Sequence, residues 1–159
     1  MTKLKLFLPT NESRITVTED LIKKQGLNIC QENISKEWIN KAIKDYSFGY
    51  ISKLPKANIG KIKNKKDDNI YINGFIICKI DRENSKNLWI QLVCSIKDSK
   101  IGKELMKKVE ETQDITSISL YSVQNRNIEN WYKSLGYNKL VTGIFEDKDF
   151  TEILMQKTL

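Results

Sequence analysis

The chain has 159 residues, with 27 Lys+Arg against 20 Asp+Glu, a net charge of +7 and no histidine. Without histidine it cannot hold a Ser-His or Cys-His nucleophilic site or the usual zinc hydrolase site, so proton transfer falls to carboxylate, tyrosine, lysine, cysteine or water. Hydrophobic residues at 40 % and charged residues at 30 % give the balance of a soluble globular protein, and the length suits one domain, 1–159, with a substantial core.

The opening "MTKLKLFLPT" alternates lysine with Leu or Phe from Lys3 to Leu8 and predicts a first strand. It is too short, and too soon followed by polar residues, for a signal peptide. No apolar run approaches the length of a membrane span. The expected compartment is therefore the cytoplasm, and the sequons at Asn11 and Asn33 read as chance. "TEDLIKKQG" predicts a helix capped by Thr18 and closed by Gly26. "SKEWINKAIKDY" carries Trp38, Ile39, Ala42, Ile43 and Tyr46 at helical spacing, with Ser35 as its cap.

"FGYISKL" reads as a short strand and "NIGKIKNKKDDN" as a solvated, lysine-rich loop. "IYINGFIICKI" is a long β-type run with Gly74 as a bulge or bend. "LWIQLVCS" is the next strand. A helix over 101–112 follows, with Leu105, Met106 and Val109 facing inward. "SISLYSV" is a strand, and "NRNIENWYKSLG" is a helix ended by Gly136. Two strands, "YNKLVTGIFED" and "DFTEILMQKTL", complete the order β-α-α-β-β-β-α-β-α-β-β. The β-α-β unit over 88–122 requires a right-handed crossover and a parallel pair. The fold class is therefore α/β (α+β), with a single mixed, mostly antiparallel sheet flanked by helices.

Three cysteines, Cys30, Cys78 and Cys94, with no CxxC pair, predict buried reduced thiols rather than a disulfide framework or a metal site. The basic balance has two readings: an anionic partner such as a phosphate-bearing cofactor or nucleic acid, or drift in a composition rich in Lys, Asn and Ile. Only three of the basic residues are arginines, and no aromatic-basic stripe is evident. Nucleic acid is thus not the expected partner.

One glycine needs a reason. The chain has only seven, yet Gly102 stands in the first turn of a helix, where glycine is a poor helix former. There the free N–H groups and the helix dipole make an anion site, and glycine admits a close approach to the backbone. Neither GxGxxG nor GxxxxGK[ST] is present, so neither a Rossmann nor a Walker site is supported. On these residues alone the glycine equally well shapes the turn.

The span Leu88–Tyr137 resembles the GNAT superfamily of N-acetyltransferases. Lys97-Asp98-Ser99-Lys100-Ile101-Gly102 stands for the family's loop R/Q-x-x-G-x-G/A, with Lys97 and Lys100 replacing the usual Arg/Gln and first glycine. Asn125, Ile128, Tyr132, Gly136 and Tyr137 match its second motif, N-x-x-A-x-x-x-Y-x-x-x-G-F, with Ile128 in the alanine place.

The resemblance implies a central parallel pair splayed beyond a bulge, with coenzyme A in the wedge between Leu88–Cys94 and Ser117–Ser122. It implies acetyl-CoA as the cofactor. The contacts would be Leu92, Val93 and Cys94 on the strand, Lys97 to Lys103 on the loop and helix start (Lys97, Asp98, Ser99, Lys100, Ile101, Gly102 and Lys103), and Asn125, which also reads as a helix cap. A backbone N–H near Val93 or Cys94 would receive the oxyanion. Tyr132 would be the general acid for the departing thiolate; its other reading is an aromatic packed on the sheet. Gln91 cannot be a base, which leaves Asp81, Glu83, Asp147, Glu152 or the terminal carboxylate.

The expected activity is acetyl transfer to a primary amine by direct attack. The rival is a non-catalytic acyl-CoA-binding module of the same fold. The acceptor is expected to be a small or peptide-like amine that is not strongly cationic, because the surface is basic and Glu146–Asp149 is the only acidic cluster near the site. A monomer and a homodimer are equally open.

Overall fold

The computed structural model describes residues 3–10, 14–30, 34–53, 71–97, 99–123, 126–141 and 152–159. Among the described residues the element order follows the predicted one. Strand β1 is Leu4–Phe7, helices α1 and α2 are Val17–Ile29 and Lys36–Lys44, and strands β2, β3 and β4 are Phe48–Lys53, Ile72–Ile80 and Asn87–Ser95. Helix α3 is Ile101–Glu110, β5 is Ser117–Val123, α4 is Arg126–Ser134, and β6 and β7 are Asn138–Val141 and Glu152–Thr158.

The strands form one sheet in the order β1-β2-β3-β4-β5-β7-β6. Every neighbouring pair is antiparallel except β4–β5, which is parallel and joined across α3. The β3–β4 register slips at its middle: Cys78 faces Ile90, but Ile77 faces Leu92, so Gln91 is an extra residue in β4. The slip turns the strand over. In a regular strand Ile90 and Leu92 would share a face. Here Leu88 and Ile90 join the core under α3 and α4, with Ile76, Leu105, Val109, Ile118 and Leu120. Leu92 and Cys94 join the core under α1 and α2, with Ile22, Ile39, Ile51 and Phe75.

Local chemistry sets the helix ends. Ser35 caps α2 as predicted, its Oγ accepting from Trp38 N–H at 3.2 Å. For α1 the predicted cap at Thr18 is corrected to Thr16. Thr16 Oγ1 accepts from Glu19 N–H, and the Glu19 carboxylate accepts from Thr16 N–H. This reciprocal pairing satisfies two N-terminal donors at once, which Thr18 could not do with Glu19 beside it. Gly26 does not close the helix either. It lies inside α1, buried where an added Cβ would come within 3.0 Å of Ile39 Cδ1, and the helix runs on to Ile29. Gly136 ends α4 as predicted, with φ +97°, a conformation L side chains rarely adopt. The irregularity expected at Gly74 falls one residue earlier. Gly74 pairs with Ser52 and Ile72 with Lys53, which leaves Asn73 extra.

Cys30 and Cys94 are joined by a disulfide across 64 residues of sequence, which corrects the reading of three reduced thiols. Cys30 ends α1 and Cys94 lies on β4, so the bond ties that helix to the strand beyond its slip. Cys78 is free and buried, and burial pushes its thiol well above the ordinary range. Among the described residues, no helix is long and apolar enough to cross a membrane, and no cluster of His, Cys, Asp or Glu could hold a metal ion.

Candidate functional site

Strands β4 and β5 pair only from Asn87 to Ile90 and from Ser117 to Leu120. Beyond that both run on, β4 to Ser95 and β5 to Val123, but no longer beside one another. β4 stays with β3 and β5 stays with β7. The sheet is therefore split by a wedge, and the β5-facing edge of Gln91–Ser95 has no strand partner. A pocket of about 410 Å³ fills the split, within the usual size of small-molecule sites.

The closed end of the wedge is held by polar side chains. Buried Asn87 accepts from Ser117 Oγ at 2.8 Å and Ser119 Oγ at 3.1 Å, and Gln156 Nε2 donates to Ser119 Oγ at 3.2 Å. Asn87 Nδ2 in turn donates to Asp81 Oδ2 at 3.1 Å.

On one face of the sheet the wedge opens toward the start of α3. Lys100 occupies the cap position and makes no side-chain capping bond, so the first-turn N–H groups lack a side-chain acceptor from the cap. Lys97, Ser99 and Gly102 line the pocket. Ser99 Oγ donates to Ile96 O at 2.8 Å and shapes the loop. Lys97, Lys100 and Lys103 are in no ion pair among the described residues. Gly102 has a tight neighbourhood: an added Cβ would lie 3.0 Å from Ser95 Oγ and 3.3 Å from Trp131 Cζ2. Its missing side chain thus lets the Trp131 ring of α4 lie against the first turn of α3. Leu92, Val93 and Cys94, the expected cofactor contacts on the strand, line the pocket, Ile101 packs in the core behind it, and Asp98 and Asn125 lie outside the described residues.

Tyr132 sits in the same pocket, 9 % exposed. Its ring is packed edge-on between Trp131 at 5.0 Å and Tyr137 at 6.0 Å. Burial pushes its phenol far above the ordinary range, so the hydroxyl keeps its proton at any working pH. Both readings of Tyr132 meet here: the ring is core, yet the residue borders the wedge.

On the opposite face the wedge opens between α2 and β5. Ile34, Trp38, Gln91 and Tyr121 line this mouth, and Gln91 is anchored by its Nε2 donating to Asp45 O at 2.7 Å. Ile34, Trp38 and Trp131 were not singled out from the sequence; Gln91 was weighed there only as a base, and Tyr121 and Ser122 fell within the expected wedge strands without a role of their own. The readable signals were Trp131 beside Tyr132 on one helix, and Tyr121 as the outward member of an alternating strand. Among the described residues Lys97 is the only charged one lining the pocket. Asp81, Glu83 and the terminal carboxylate of Leu159 are not among the residues lining it. Asp81 is engaged by Asn87 and Trp89, while Asp147 lies outside the described residues, as does the acidic cluster Glu146–Asp149.

No protein-family model matches the chain, and no curated protein matches it. Solved structures match over nearly its whole length. A protein assigned to the acetyltransferases of the GNAT family, from Desulfovibrio desulfuricans, superposes with a TM-score of 0.66 at 8 % identity, over 99 % of each chain. The ribosomal-protein-S18-alanine N-acetyltransferase from Escherichia coli gives 0.64 at 12 % identity, over 99 % of this chain and 94 % of its own. A chain of the NatC complex, solved with a Gag peptide and CoA, gives 0.62 at 16 % identity over 99 % of each chain. The chain has the fold of the GNAT acetyltransferases: a mixed seven-stranded sheet with one parallel pair, opened at its middle.

Proposed function

We propose that the protein is an acetyl-CoA-dependent N-acetyltransferase acting on a primary amine. The observation that carries this reading is the split between β4 and β5, with an uncapped helix start at one mouth and a buried tyrosine beside it. The residues fit the cofactor. The unpartnered edge of Gln91–Ser95 offers backbone groups to the amides of a pantetheine arm, as a strand would. The free N–H groups of the first turn of α3, with Lys97, Lys100 and Lys103, suit a pyrophosphate.

When bound, acetyl-CoA supplies an acetyl group activated as a thioester. A backbone N–H of the open edge near Val93 or Cys94 donates to the oxygen on which charge develops. Tyr132, whose phenol is protonated at neutral pH, is the group placed beside the pocket to donate to the departing sulfur, the thiolate taking the proton that the phenol gives up. With no carboxylate lining the pocket among the described residues, the amine arrives neutral or loses its proton through water.

The test is thiol release from acetyl-CoA in the presence of a pooled amine library, read beside the thermal shift caused by acetyl-CoA alone. Turnover with a concentration-dependent shift is expected. Lys100→Glu/Lys103→Glu, two exposed changes that spare the packing at Gly102, should weaken the shift. An undiminished shift in that variant would put the phosphates elsewhere. A shift without turnover on any amine would leave a binding module.

A further inference from the structure

We propose that the acceptor is a primary monoamine carried on an aromatic or large apolar group, bound in an aromatic slot formed by Tyr121 and Trp38. This rests on the acetyltransferase reading and goes beyond it to the substrate class. Tyr121 is 44 % exposed, yet it is held in place. Its ring stacks on Trp89 at 5.3 Å and 11° between planes. Trp89 Nε1 donates to Asp81 Oδ2 at 3.1 Å, and the same oxygen accepts from Asn87. The chain of contacts thus runs from an exposed ring to the buried Asn87 that pins the closed end of the wedge. A surface aromatic fixed in this way offers area at little entropic cost on binding.

The rest of the mouth agrees. Trp38 and Ile34 are apolar, and Gln91 is neutral. The described lining offers a polyamine's second ammonium no carboxylate, so from these residues that charge would gain no partner for the water it loses. An apolar group on the amine instead covers the rings. The same surroundings lower the pKa of the amine itself, because desolvation disfavours its charged form. The slot therefore delivers a neutral nucleophile to a site without a base in its described lining. The acceptor's class follows from this lining and not from the overall charge of +7.

The experiment measures thiol release by the full chain with phenethylamine, a dipeptide with N-terminal phenylalanine, ethylamine and spermidine. Acetyl-CoA binding is followed separately by thermal shift. At least one aromatic amine should exceed both ethylamine and spermidine in kcat/KM by about tenfold or more, as a filled apolar pocket allows. The two aromatic arms tell a small molecule from a peptide end. Tyr121→Ala should lower kcat/KM for the aromatic amines, through KM, by at least about tenfold more than it lowers kcat/KM for ethylamine, and Tyr121→Phe should restore the preference. Preference for spermidine or ethylamine would overturn the slot, as would equal losses on every acceptor in Tyr121→Ala. If acetyl-CoA gives no shift at all, the acetyltransferase reading falls as well; if it binds and spermidine is preferred, only the slot falls.

Discussion

The two ends of the β4–β5 pair differ in what lies between the strands. From Asn87 to Ile90 the strands are laddered, and Asn87, Ser117, Ser119 and Gln156 lace them further. From Gln91 to Ser95 the partner is gone and a pocket takes its place. One extra residue, Gln91, separates the two regimes. A bulge re-aims a strand at small cost if the strand is pinned on both sides of it. Here the polar lacing pins the near side. The ladder to β3 and the disulfide to α1 pin the far side. The comparison suggests that catalysis belongs to the open end and that the closed end serves only to hold its angle.

Tyr132→Phe tests the open end with the largest expected effect. It keeps the packed ring and removes the hydroxyl, so turnover should fall by about two to four orders of magnitude, while the acetyl-CoA shift and the fold persist. Because burial raises the phenol's pKa, the wild-type pH–rate profile should show no decline from this group through neutral and mildly alkaline pH. Near-normal turnover in Tyr132→Phe would reduce the residue to packing.

Cys30→Ala tests the far-side pin. A bond closing a loop of 64 residues restricts the unfolded chain, and its loss should cost about 2–4 kcal/mol of stability, seen as a lower denaturation midpoint. The same drop should follow a reductant in the wild type and be absent from the variant. If neither treatment moves the midpoint, the cysteines are not paired in the folded protein.

Much of this arrangement was legible beforehand. The strand–helix–strand pattern over 88–122 and the spacing from Asn125 to Tyr137 led to the fold, because period and motif are local signals. Thr16 was legible too: T-x-x-E before an apolar run is a capping box, and it outranks the nearer Thr18. The disulfide was not. Pairing Cys30 with Cys94 depends on α1 crossing β4, which no spacing encodes. The acceptor mouth was not legible for the same reason, since Trp38 and Tyr121 come from distant segments and each reads alone as an ordinary helix or strand aromatic. The slip at Gln91 was expected only through the resemblance, which implied a bulge in this strand; the residues themselves mark it by no more than one glutamine in an apolar run.

Asn87→Ala tests the closed end with the smallest expected effect. It deprives the Ser117 and Ser119 hydroxyls of their acceptor and should cost about 1–3 kcal/mol. If the closed end only sets the angle, the variant should bind acetyl-CoA less tightly while keeping its kcat within a few fold at saturation. A kcat loss like that of Tyr132→Phe would mean that the closed end takes part in the chemistry.

The central claim, that the split between β4 and β5 is where the cofactor lies, is tested most directly by backbone amide hydrogen exchange with and without acetyl-CoA. Amides of Gln91–Ser95 and of the first turn of α3 should gain protection on binding, and those of Asn87–Ile90, already bonded across the ladder, should change little. Protection confined to other segments, or none along Gln91–Ser95 at saturating acetyl-CoA, would contradict the account.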